Sequence, residues 1–349
     1  MQTRKTLSES HFCSLGLKAV SAVIAVLFLL SCKNSPKVVW SFQTGGYIYG
    51  SPALVGNLLI IGSADHNLYA LDKSTGKQVW KSNLGERVVS KPLMESDSIY
   101  IGNSRGEFFC LNLKDGKTKW KIETGRDVIH YNPCMDRDSV YFGSYDNNFY
   151  KVSKTGQRIW SWQGTSDFRG GCAVYEDVVL TSSMDRNLYG FDTNTGQPRW
   201  KVDSGHHNFG PPELVGDVVY FSTHDKIFEI EARTGKVLRQ FKATYVVHTF
   251  PLNDFFWSNE EFGLVKRNPD GQPVGTASFM AVTGFRPVVA DGYFIVAGTR
   301  NMLYSVSFEP KIVWKYKAKD YFWAPGVISN GIYYTGNRDT RVYALRLPK

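Results

Sequence analysis

The chain has 349 residues and sets 41 Lys and Arg against 32 Asp and Glu, for a formal charge of +9. That length exceeds the usual single domain, but a repeat fold escapes the limit because each unit packs only on its neighbours. Aromatics at 14% and 32 Gly favour many short strands and tight turns over helices, and the positive excess is spread along the chain without the stripe that duplex binding needs, so nucleic acid is not an expected partner.

Residues 1–18 are polar and basic, and Ala19 to Leu30 is an apolar run. Twelve residues are too few for a comfortable membrane span and suit the h-region of an export signal. The stretch Leu29-Leu30-Ser31-Cys32 resembles a bacterial lipobox. That resemblance implies a signal peptide over 1–31, acylation of Cys32, a short tether over 32–36 and anchoring in the membrane through the lipid. By the sorting rule of such lipoproteins, Lys33 after the Cys favours the outer membrane, on its periplasmic or cell-surface side. Of five Cys, Cys13 leaves with the signal and Cys32 carries lipid. Cys110, Cys134 and Cys172 remain, an odd number without metal-ligand spacing, and are read as small buried strand residues.

An internal repeat dominates the rest. Trp40, Trp80, Trp120, Trp160 and Trp200 stand forty residues apart, and Gly76, Gly116, Gly156 and Gly196 precede the last four by four residues. In residues 50–80 the unit divides into strands at Ser51–Leu54, Leu58–Gly62, Leu68–Leu71 and Lys77–Trp80. Turns rich in Gly, Asn and Asp separate them. Four antiparallel strands per forty residues make a propeller blade. The Trp is expected to fill the wedge between neighbouring blades. Asp65, Asp146, Asp185 and Asp225 recur in the second turn, where a carboxylate caps the turn with its own hydrogen bonds.

The period loosens after Thr234-Gly235, where Phe241 replaces the Trp, and recovers at Trp314. Two units fill that gap, the first degenerate around Phe255-Phe256-Trp257. The last unit, Ala324 to Leu347, stops after its third strand. Val38-Val39-Trp40 belongs to no preceding unit and can complete it, closing the ring. First strands near 51, 91, 132, 172, 212, 250, 287 and 325 give an all-β, eight-bladed propeller over 37–349. Seven blades result if 245–275 is an insertion.

The unit Tyr-Ala-Leu-Asp-Lys-Ser-Thr-Gly-Lys-Gln-Val-Trp at 69–80 resembles the PQQ-type propeller repeat, specific at five endings. One branch of that superfamily holds quinoprotein dehydrogenases, which stack the quinone on a disulfide of adjacent cysteines beside a Ca²⁺ site of Glu, Asn and Asp. This chain has no adjacent cysteines, and no such set can be assigned in it. The other branch holds non-catalytic lipoproteins like BamB of the outer-membrane barrel-assembly machinery, and the lipobox, blade count and length resemble these. The resemblance implies no enzyme activity, no cofactor and no metal. It implies a monomer within a complex of envelope proteins, barrel-assembly components among them.

No Gly-x-Ser-x-Gly elbow, His-Glu-x-x-His or Walker pattern offers a catalytic centre. Loops from each blade's last strand to the next blade's first are instead aromatic and basic. Early in the chain they carry Tyr49, Lys91, His130, Tyr131, Phe168 and Arg169. Later they carry His207, Phe209, His248, Phe285, Arg286, Phe322 and Trp323. The second turns add cations such as Arg338. These residues are candidates for a binding face that takes an extended peptide, a glycan or an anion; the other reading is that they point inward and plug the channel. The expected role is therefore a membrane-anchored, protein-binding scaffold of the envelope, with cell-surface glycan or peptide capture as the alternative.

Overall fold

The computed structural model describes residues 35–125, 132–207, 210–260, 262–280 and 286–348. The segment 1–31, Cys32 and most of the tether lie outside the described residues.

The described residues form eight four-stranded antiparallel sheets, arranged as the consecutive blades of a propeller. The first blade comprises Ala53–Val55, Leu58–Gly62, Asn67–Asp72 and Gln78–Asn83. Its first strand starts two residues later than the sequence suggests, directly after Pro52, which lacks the amide a ladder requires. Burial follows position in the blade. Second and third strands such as Leu58–Gly62 and Asn67–Asp72 are buried through their length, because neighbouring blades cover both faces. Fourth strands such as Thr118–Glu123 alternate between exposed and half-buried residues, because they form the outer edge.

Ring closure is as the repeat implies. The strand Lys37–Gln43 pairs antiparallel with Arg341–Arg346 and sets Trp40 opposite Ala344. The degenerate unit is a full blade of Val246–Leu252, Phe255–Glu260, Gly263–Arg267 and Pro273–Ser278, which rules out the seven-blade count.

Five of the wedge tryptophans are each held at two points. The indole N–H of Trp40, Trp80, Trp120, Trp160 and Trp200 donates to a backbone carbonyl in the next blade at 2.9–3.2 Å, those of Lys73, Leu113, Lys154, Thr193 and Ala232. The ring then covers the glycine of that same turn. A β-carbon at Gly76, Gly116, Gly156, Gly196 or Gly235 would come 2.5–2.7 Å from it. Phe241 takes the same place over Gly271, which explains how the sixth blade keeps its seat without Trp. Trp314 is buried beside Tyr293. It has no turn carbonyl to meet, because Arg341–Arg346 and Lys37–Gln43 are not joined by a turn.

Asp65, Asp146 and Asp185 each accept the amide two residues on and the hydroxyl of Tyr69, Tyr150 or Tyr189 at 2.5–2.6 Å. These carboxylates serve the blades.

The cysteine expectation needs correction. Cys134 and Cys172 form a disulfide between the innermost strands of the third and fourth blades, with a Cα–Cα distance of 5.5 Å. Only Cys110 is a free buried thiol among the described residues.

Candidate functional site

The chain enters each blade near the axis, so the start of every inner strand faces the channel. Residues from all eight blades enclose a cavity there of about 400 Å³. Its wall mixes polar groups with an apolar part made of Val89, Pro211, Val288, Val289, Pro325 and Val327. Three charged side chains and a histidine reach it: Lys91, Glu213, Arg286 and His248.

Three of them stand together. The Arg286 guanidinium pairs with Glu213 and lies 5.2 Å from the Phe250 ring centroid. His248 is buried, with Nε2 3.8 Å from the other Glu213 oxygen and without a hydrogen bond. Lys91 is apart, on the second blade. Among the described residues no carboxylate pairs with it, and burial pulls its pKa below the usual lysine value.

Beside the cavity, blades eight and one present an aromatic cluster. Tyr49 meets Trp323 edge-on at 5.9 Å and Tyr47 at 6.0 Å. The Arg338 guanidinium sits 5.2 Å from Tyr47, 5.6 Å from Trp323 and 5.9 Å from Tyr321, within cation–π range. Tyr47, Tyr321 and Trp323 remain 43%, 39% and 45% exposed. Rings that are held yet solvated bind partners at low entropic cost.

Not every candidate belongs to this face. Phe168 is buried among Phe149, Trp162 and Phe191, and Phe322 packs near Tyr316; both are core residues rather than surface ones. They pack between blades and neither line the axial cavity nor plug it. Arg169 is committed to Asp167 and stacks 3.9 Å from the Tyr145 ring. His207 is exposed, with Nδ1 2.6 Å from the Met184 carbonyl. His130, Tyr131, Phe209 and Phe285 lie outside the described residues. The cavity thus unites Tyr49, Lys91, His248 and Arg286 of the candidates, and the aromatic cluster adds Trp323.

Glu213 was missed. It pairs with Tyr220 at the register position that Ala53, Leu93, Val288 and Val327 hold in other blades. An acid in a column of apolar residues was the available signal. Among the described residues no group of three His, Cys, Asp or Glu could hold a metal ion.

The family model described as outer membrane protein assembly factor BamB matches residues 29–155 and 150–246. The crystal structure of BamB from Moraxella catarrhalis superposes with a TM-score of 0.57 at 18% identity, covering 89% of this chain and 88% of that one. The computationally designed Ika8 protein gives 0.74 at 12% identity, over 87% and 98%. Saccharomyces cerevisiae Sqt1 gives 0.76 at 12%, over 90% and 100%. At these identities the likeness is one of fold. Quinoprotein ethanol dehydrogenase of Pseudomonas aeruginosa is 28% identical over 133 residues, 36% of this chain and only 18% of the enzyme's length.

Proposed function

We propose, on the premise that this chain belongs to the family of outer membrane protein assembly factor BamB, that it is a non-catalytic scaffold. On this reading it docks envelope proteins, barrel-assembly components among them, against the mouth of its propeller. The observation that carries the reading is the half-exposed cluster of Tyr47, Tyr321 and Trp323 around Arg338. Aromatic and Arg anchors of this kind concentrate binding energy at protein interfaces.

Anchoring through acylated Cys32 would hold that mouth at the outer membrane. The Cys134–Cys172 disulfide favours an oxidising compartment, in agreement with export. Against catalysis stands the lack of adjacent cysteines for a quinone platform, and the dehydrogenase similarity spans only 133 residues.

The test is a pull-down from envelope extract with the tethered full chain. Wild type should retain barrel-assembly components, and Trp323→Ala should lose most of that retention without losing its fold. Equal retention by the variant, or glycan retained in place of protein, would overturn the reading. Cys32→Ala should move the protein from the membrane to the soluble fraction.

A further inference from the structure

The axial cavity has a charge distribution that the scaffold reading does not use. In a ring of eight consecutive blades the second lies across the axis from the sixth. Lys91 therefore stands on the wall opposite His248. Among the described residues, the only carboxylate in the lining is Glu213, on the fifth blade, and it is held on that far side by Arg286 and beside His248. It cannot serve Lys91. Among the described residues the half-buried ammonium therefore has no anion beside it, and a partly desolvated cation gains from one.

His248 Nε2 is buried, unbonded and part of the same lining. Counting Lys91 and Arg286 against Glu213, the described lining residues carry an excess positive charge, so they favour an anion. The kind of anion follows from the wall. Two valines and a proline of the seventh blade, with Pro325 and Val327 of the eighth, make one side apolar. Phosphate has no apolar surface to set against that wall, whereas an organic acid does. The volume, about 400 Å³, lies within the range of small-molecule sites.

We propose that the axial cavity binds an organic monocarboxylate, its carboxylate on Lys91 and its apolar body against the proline and valine wall. The site does not depend on the rim cluster, so it stands or falls separately from the scaffold reading. The ligand is either a free small acid or the C-terminal carboxylate of a peptide threaded into the mouth.

The experiment is calorimetric titration of the full chain with 3-phenylpropanoate, 3-phenylpropanamide and inorganic phosphate. The acid should bind at least about tenfold more tightly than its amide, because only the acid answers the ammonium. Lys91→Met should remove that preference while leaving the melting curve folded. Equal binding of acid and amide overturns the proposal, as do binding of phosphate as tight as that of the acid and absence of binding by the acid up to about 10 mM. The wild-type acid–amide comparison decides the matter even if the variant fails to fold. A short peptide with a free C-terminus, set against its amidated form, then separates the two sources. A peptide that binds more tightly than 3-phenylpropanoate, and only when free, identifies the chain end.

Discussion

Gly76 lies beneath the indole of Trp40, so close that a β-carbon would come 2.6 Å from the ring. The pair joins the first strand of the chain to the first blade, and so locks the ring where its ends meet. Gly76 also has φ +73°, a conformation L side chains resist. Gly56 has φ +54° but open space around it. Gly56→Ala should therefore cost only the backbone penalty, about 1–2 kcal/mol. Gly76→Ala should cost about 2–5 kcal/mol, since overpacking adds to that penalty. Urea unfolding midpoints of the two variants give the comparison. Equal losses would mean that the Trp–Gly seat contributes nothing to closure.

The Cys134–Cys172 bond closes a loop across 38 positions. Loop-closure entropy for that span amounts to about 4 kcal/mol. Cys134→Ala with Cys172→Ala should lower the unfolding midpoint accordingly. In the unreduced, denatured wild type, iodoacetamide should label Cys110 and neither of the pair, as peptide mapping would read. In the folded protein Cys110 should stay unlabelled, because burial raises its thiol pKa as well as shielding it. Labelling of Cys134 without reductant would contradict the pairing.

The repeat was legible because a wedge between blades admits few solutions. A broad ring over a bare glycine recurs at six of the blade junctions, five of them with Trp, so Trp and Gly mark the blades in the sequence itself. The disulfide was not legible, because Cys134 and Cys172 meet only when two inner strands of adjacent blades come together at the axis. Composition also misled at Phe168 and Phe322. An aromatic loop residue looks the same whether it packs between blades or protrudes, and only alternation along the backbone separates buried Phe322 from exposed Trp323. Glu213 could have been found by aligning the blades, where it breaks a column held by Ala53, Leu93 and Val327.

The sixth blade replaces repeat chemistry with a buried polar network. Arg267 donates to the Gly271 carbonyl at 2.8 Å, to Ser258 Oγ at 3.1 Å and to Glu260 at 2.6 Å. Its side chain is 6% exposed and that of Glu260 12%. Arg267→Met strands the carboxylate and should cost about 3–5 kcal/mol. Adding Glu260→Leu should recover most of that loss, because the stranded charge is then gone. Thermal unfolding of the single and double variants measures it. A double variant no better than the single would place the loss in packing and not in charge.

The Tyr–Asp bond of the second turns makes stability depend on acid. Burial works to raise the Asp146 carboxyl, but the Tyr150 hydroxyl, the amides of Gly125 and Asn148 and the Ser144 hydroxyl outweigh it, and the net pKa is lowered from 3.8. Asp65 is lowered in the same way, burial again opposing Tyr69 and its neighbours. A carboxyl whose folded pKa lies below its unfolded one favours the folded chain above the unfolded value, and that contribution is lost as pH falls through the folded value. The wild-type melting temperature should therefore decline on acidification below pH 3.8. Asp146→Asn should be less stable at pH 7, because the turn loses its charged acceptor. Over the acid interval it should decline less steeply than wild type, since one of the titrating groups is gone. Tyr150 moves the other way: burial first, then the Asp146 bond, raises its hydroxyl far above 10, so its contribution persists at neutral pH and is lost only in strong alkali. Parallel acid curves for variant and wild type would mean that the carboxylate is not coupled to folding, and that the turn is held by its backbone alone.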